Sequence, residues 1–222
     1  MLLAVDTSTQ MVGIALYNED RVIGELYWHS RNYHTVELAP AIQYLFAHCD
    51  ITPQSLHALG VALGPGSFTG LRIGLALVKG MARGLNLPVI GIPTLDVVAA
   101  AQPVSDSKLA AVLQAGRKRL AVGWYHVERG AWTRQGDYEV LSVEELTEKI
   151  TTPTLVCGEL NAVERRSLVR QNRSVQLVTT ARAQRTPAML AELAWARWQR
   201  DNVDNASTLT PIYLHTGDEI PG

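Results

Sequence analysis

The chain has 222 residues, 47% hydrophobic and 18% charged, which is enough for one large domain or two small lobes and excludes a disordered or supercharged polymer. With 20 basic and 21 acidic residues its formal net charge is −1, so nucleic acid would have to be met by a local patch and not by the field of the whole chain. Cys49 and Cys157 are its two cysteines and no Cys-x-x-Cys occurs, which excludes a disulfide scaffold and a zinc module.

The opening MLLAVDTST lacks a basic region, and Asp6 interrupts its apolar run, so residues 2–8 read as a buried strand and not as a signal peptide. Residues 11–18 and 21–30 continue as strands. The short connections between the three predict antiparallel neighbours. Val36, Ala39, Ile42, Leu45 and Phe46 recur at helical spacing and predict a helix over 35–49. Pro40 falls in its first turns or kinks it. A Pro-initiated turn at 52–57, a strand at 58–64, a helix at 69–84, a strand at 88–92 and a helix at 94–101 complete this half. Residues 102–107, QPVSDS, read as a linker.

The pattern then restarts. Residues 108–116, 119–127 and 130–142 are strand-like. Ser142 caps the helix VEELTEKI, with Glu145 at the capping-box position. A strand at 154–158, a helix in the 160s, a strand at 175–179 and a helix at 187–199 follow. No stretch reaches about 18 uninterrupted apolar residues, so no membrane span is expected and the cytoplasm is the expected location. The order strand-strand-strand-helix-strand-helix, met twice, describes a two-lobed α/β fold of the actin-like ATPase kind. The expected division is 1–103 for the N-terminal lobe and 104–222 for a smaller C-terminal lobe and tail.

The stretch GPGSFTGLRIGLALVKG, residues 64–80, has the look of a phosphate loop. Its spacing fits neither G-x-x-x-x-G-K-[ST] nor G-x-G-x-x-G. A free helix N-terminus can still hold an anion, and the plainer reading is a tight strand-to-helix turn capped by Ser67 or Thr69. Wound at ~100° per residue, the helix carries Arg72, Lys79 and Arg83 on one stripe and Gly70, Gly74, Leu77, Met81 and Gly84 on the opposite side. Interior glycines cost a helix about 0.8–1 kcal/mol each, and close approach of another helix would offset that. The helix at 35–49 and a helix of another chain are both candidates.

The strings AVDTST (4–9), HTVELAP (34–40), GPGSFTGLRIG (64–74) and KGMARGLNLPVIGIPTL (79–95) together resemble the TsaB, or YeaZ, family. This is the dimerisation subunit of the bacterial machinery for N6-threonylcarbamoyladenosine at tRNA position 37. The match spans residues 1–100 closely and the second half loosely, with PIYLH (211–215) resembling a tail motif in which His215 replaces an arginine. The resemblance implies an actin-like ATPase fold and a subunit without catalytic residues of its own. It implies pairing with the catalytic paralogue TsaD through the helices at 35–49 and 69–84, with the P-loop ATPase TsaE joining. It further implies a homodimer through the same surface when TsaD is absent, and contact with tRNA through the complex. His34, Thr35, Leu38, Ala41, Gly70, Gly74, Leu77 and Met81 are the residues expected at that interface.

TsaD carries a metal-binding His-x-x-x-His where this chain has Thr94 and Val98, neither of which ligates as imidazole does. No metal site is expected. Asp6, Thr7 and Ser8 stand where actin-like ATPases place an acid, and are the candidate nucleotide or anion contact; satisfying the local turn is the alternative. The second lobe offers LQAGRKR (113–119) without an acid, and the chain has no Gly-Gly pair. No cofactor is expected to be required, and ATP or ADP would bind at most weakly or at the shared interface. The competing reading is an independent actin-fold ATPase or small-molecule kinase. Trp195 and Trp198 read as packing residues, and Arg165, Arg166 and Arg170 as a solvated helix face.

Overall fold

The computed structural model describes residues 1–31, 34–116 and 118–214. They form two compact units, Met1–Val97 with Thr186–Ile212, and Val98–Arg185 with Tyr213 and Leu214. Each is built on a five-stranded sheet of the same plan.

In the first unit β1 (Leu2–Asp6) is central. It pairs antiparallel with β2 (Met11–Tyr17), which pairs antiparallel with β3 (Val22–His29). On its other side it pairs parallel with β4 (Ala58–Ala62), and β4 with β5 (Val89–Ile92). Strands β1, β4 and β5 are buried throughout, as expected of parallel strands covered on both faces. One face is covered by α1 (His34–His48) and α2 (Phe68–Leu85). Leu38, Ile42 and Leu45 of α1 and Leu75, Val78 and Ala82 of α2 meet Leu3, Val5, Ile14 and Val61 there. Ser67 caps α2 by accepting from the Gly70 amide at 3.2 Å, and Asn86, at φ 54°, ends it in the left-handed region.

The opposite face of this sheet is lined by Leu2, Ala4, Ala15, Ala58, Ala62 and Ile90. It is covered by Leu190, Ala191 and Ala194 of α6 (Pro187–Trp198). This corrects the division at residue 103, which assigned the last helix to the second lobe. A sheet with an apolar surface on both faces needs two covers, and α1 with α2 supply one. The small side chains let α6 approach closely: a Cβ on Gly60 would lie 2.9 Å from that of Ala194. The chain then runs back along the sheet. Asp204 forms a bridge with Val89 and accepts from the Gly91 amide at 2.7 Å, while Arg197 donates to the Gly91 carbonyl at 2.7 Å. The Ile212 amide donates to Leu63 O at 2.7 Å. The tail pairing along this edge was not expected; the His215 substitution lies outside the described residues.

The second unit repeats the plan. β6 (Lys108–Gln114) pairs antiparallel with β7 (Leu120–Glu128), and β7 with β8 (Ala131–Leu141). β6 also pairs parallel with β9 (Thr154–Gly158), and β9 with β10 (Val175–Leu177). Helices α4 (Val143–Lys149) and α5 (Ala162–Gln171) pack Leu146, Ile150 and Leu168 onto Ala110, Val112, Val122 and Val156. The capping box predicted at Ser142 and Glu145 forms with both bonds, and Asn161 with Glu164 builds a second one. A short helix α3 (Thr94–Ala100) links the units.

Candidate functional site

Two features of the first unit carry the residues singled out in the sequence: the turn at the end of β1, and the paired helices α1 and α2.

At the turn, Asp6, Thr7 and Ser8 are 2%, 1% and 0% exposed. The Ser8 amide donates to Asp6 Oδ1 at 2.9 Å, and Thr7 Oγ1 donates to the Gly70 carbonyl at 2.7 Å. Ser8 Oγ lies 2.8 Å from Thr94 Oγ1, which also accepts from the Gly64 amide at 2.9 Å. The Ser67 amide donates to the Ser8 carbonyl at 2.6 Å. The three candidate anion contacts are thus buried, with these polar groups engaged by their own chain. Thr94, read in the sequence as a replaced metal ligand, joins β1 to the glycine turn through its buried hydroxyl.

The glycines explain how the turn and helix come so close. A Cβ on Gly66 would collide with the Ser8 carbonyl, on Gly70 with the Thr7 carbonyl, and on Gly74 with Thr7 Oγ1. This corrects the helix-docking role read for that face. The close approach that Gly70 and Gly74 permit is to the end of β1 in the same chain, not to another helix.

The residues expected at the interface therefore separate into groups. His34 and Leu38 are 5% and 2% exposed. His34 Nε2 lies 3.1 Å from the Thr9 carbonyl, and Leu38 packs in the core. Ala41, Leu77 and Met81 are half-buried against the same core, and Gly70 and Gly74 are buried. Thr35 is exposed. At the start of α1, hydrogen bonds from Trp28 and Ser30 hold the Glu37 carboxyl below the ordinary carboxylate range, helped by the charge on His34 and opposed by slight desolvation.

The outward surface of these two helices is carried by residues that the sequence reading did not name for it. Val36 and Tyr44 of α1 are 66% and 59% exposed, and Phe68 at the start of α2 is 54% exposed. The Arg72 guanidinium lies 3.6 Å from the centre of the Phe68 ring, and Tyr44 stacks on His48. Ala76, Gly80, Arg83 and Gly84 continue the exposed side of α2, and a Cβ on Gly80 or Gly84 would meet nothing within 4 Å. α1 and α2 are in contact, and each presents small and apolar groups outward, those of α2 accompanied by Arg72 and Arg83. The available signal was a second apolar stripe on α1, Val36 with Tyr44, opposite Leu38, Ile42 and Leu45.

A family model described as TsaD: tRNA N6-adenosine threonylcarbamoyltransferase matches residues 29–191. The chain is 31% identical over 220 residues to the tRNA threonylcarbamoyladenosine biosynthesis protein TsaB of Bacillus subtilis, covering 98% of this chain and 95% of that one. The structure of YeaZ from Pseudomonas aeruginosa superposes with a TM-score of 0.78 at 26% identity, over 96% of this chain and 99% of the other. A ROK hexokinase from Thermus thermophilus superposes with a TM-score of 0.51 at 10% identity, over 89% and 99%. That last likeness is of fold alone, and with the repeated sheet plan it bears out the expected actin-like architecture.

Proposed function

Because this chain belongs to the TsaB family of tRNA threonylcarbamoyladenosine biosynthesis proteins, we propose that it serves tRNA modification as a docking subunit without catalysis of its own. The outer faces of α1 and α2 receive the catalytic paralogue TsaD, and TsaE joins that pair. In the absence of TsaD the same face takes a second copy of this chain. tRNA is met through the complex, the whole acts in the cytoplasm, and this chain requires no cofactor for its docking role.

The observation that carries the reading is the surface on α1 and α2. Three large apolar side chains, Val36, Tyr44 and Phe68, are each more than half exposed there, and the exposed Ala76 and Gly80 of α2 leave room for a helix to approach closely. Gly80 and Gly84 weaken α2, a Cβ at either would meet nothing within 4 Å among the described residues, and a partner's side chains packed over them would offset that. The reading of an independent ATPase or kinase has less support, since Thr7 Oγ1 and Ser8 Oγ are turned to Gly70 and Thr94.

The test is co-purification of the chain with TsaD from the same organism, followed by reconstitution of tRNA modification with and without it. Ala76→Arg is expected to leave the first unit folded, abolish co-purification and lower modification to the level seen without the chain. Normal pairing by that variant, or appreciable ATP turnover by the purified chain alone, would overturn the proposal.

A further inference from the structure

The second unit carries a cleft of about 360 Å³ on the face of its sheet that α4 and α5 cover elsewhere. Its origin is a mismatch of lengths. β7 and β8 run for 9 and 11 residues, whereas α4 has 7. At about 3.3 Å per strand residue and 1.5 Å per helical residue, the strands outrun the helix, and floor is left uncovered beyond its last turn.

Trp124 of β7 lies in that floor. It packs against the core cluster and also lines the cleft. Opposite it the register of β8 shifts: Val122 pairs with Glu139 but Trp124 pairs with Gln135. Such an irregularity re-aims side chains, and here Gln135 and Glu139 both line the cleft.

The indole is fixed in place. Trp124 Nε1 donates to Glu139 Oε2 at 2.8 Å, and Lys149 Nζ donates to Glu139 Oε1 at 2.5 Å. Burial alone would raise the Glu139 pKa, but the hydrogen bonds from Lys149 and Trp124 more than offset it and keep the group a carboxylate. The Lys149 charge is thereby used within the chain. Lys108, at the start of β6, also lines the cleft and makes no ion pair among the described residues. Two amines against one carboxylate leave one net positive charge beside a pinned aromatic ring.

We propose that this cleft binds a nucleotide, with the base stacked on Trp124, the phosphate at Lys108, and the Gln135 amide available to the sugar or base edge. Its volume lies within the range of about 300–1,000 Å³ usual for small-molecule sites. A fixed aromatic face beside a cation is the arrangement that single nucleotides use, because every base offers a π-face and every phosphate a charge. The nucleotide can come free in solution or as one unit of single-stranded RNA. The site belongs to the second unit and is independent of the docking role proposed for α1 and α2.

The test is a titration of the full chain, labelled with 15N, watched at its indole N–H resonances. The chain has five tryptophans, and the signal missing from Trp124→Phe assigns the relevant one. AMP at millimolar concentration is expected to move the Trp124 resonance. Trp124→Ala should weaken AMP binding, followed by calorimetry, by about five- to 150-fold, the worth of one base–aromatic stack. Lys108→Ala should weaken it by about two- to fivefold, the worth of one exposed ion pair. Trp124→Phe keeps a stacking face and should retain most of the affinity, which separates stacking from a folding defect. A short adenylate oligoribonucleotide binding much more tightly than AMP assigns the site to RNA, and equal binding assigns it to free nucleotide. If neither ligand moves the Trp124 resonance, or inorganic phosphate moves it as far as AMP does, the proposal is overturned.

Discussion

Thr7 and Gly74 meet where β1 ends and α2 passes: Thr7 Oγ1 fills the space that a side chain on Gly74 would need and donates to the Gly70 carbonyl at 2.7 Å. A helix interior normally gains up to about 1 kcal/mol when glycine becomes alanine. At this position the added methyl must displace Thr7, and overpacking of this kind costs about 1–3 kcal/mol. Gly74→Ala is therefore expected to lower the denaturant midpoint. Thr7→Ala in the same background should restore part of the loss, so that the two substitutions are non-additive in a double-mutant cycle. Additive losses would show that Thr7 and Gly74 are not coupled.

Gly80 sits in the same helix with the opposite expectation. A Cβ there meets nothing within 4 Å, so Gly80→Ala should stabilise the isolated chain by up to about 1 kcal/mol through helix propensity alone. On the proposed docking face the same methyl holds a partner's helix away. The expected outcome is a higher unfolding temperature together with weaker pairing, read by calorimetry and by sedimentation. Stabilisation with unchanged pairing would place the contact elsewhere on α2.

Thr94 gives a third expectation. Its hydroxyl accepts from the Gly64 amide at 2.9 Å and lies 2.8 Å from Ser8 Oγ, all of it buried. Thr94→Val keeps the shape and removes the oxygen, which leaves the Gly64 N–H and the Ser8 hydroxyl without that partner. Such a loss costs about 1–3 kcal/mol. Thr94→Ser retains the oxygen and should cost clearly less. Urea unfolding of the two variants measures the difference, and a loss in Thr94→Val no larger than that in Thr94→Ser would show that the hydroxyl contributes no more than the methyl group.

Much of this fold could be read from the chain. The strands announce themselves as short apolar runs between turn residues, and Ser142 with Glu145 marks the start of α4 by a pattern whose bonds both form. What could not be read is destination. α6 is evident as a helix, yet its place on the first sheet follows from the small residues Ala4, Ala15, Ala58 and Gly60 leaving a face open, a relation between segments more than 100 residues apart. The helical wheel of α2 gives angles between residues but not which side turns inward. Gly74 and Gly80 look alike in sequence; one faces Thr7 and the other faces nothing. Val36 reads as core because an apolar residue on a periodic helix does so by default, whereas Phe68 precedes the helix start expected at 69 and Tyr44 falls outside the periodic set.

The start of α1 makes a prediction about pH. Trp28 Nε1 donates to Glu37 Oε2 at 3.1 Å, and the Ser30 hydroxyl adds a second bond, so the folded pKa of Glu37 lies below its ordinary value of 4.5. A carboxylate lowered on folding stabilises the native state fully above its unfolded pKa, and that contribution fades as pH falls through the folded value. Glu37→Gln cannot titrate. It should be less stable than the wild type at neutral pH, and the gap should close progressively below about pH 4.5. Urea midpoints measured for both proteins across that range test this. A gap that stays constant into acid would mean that Trp28 and Ser30 do not favour the charged carboxylate. Because Glu37 ties the first turn of α1 to β3, the same substitution should weaken pairing through the α1 face, and pairing by the variant should depend less on acid pH than pairing by the wild type.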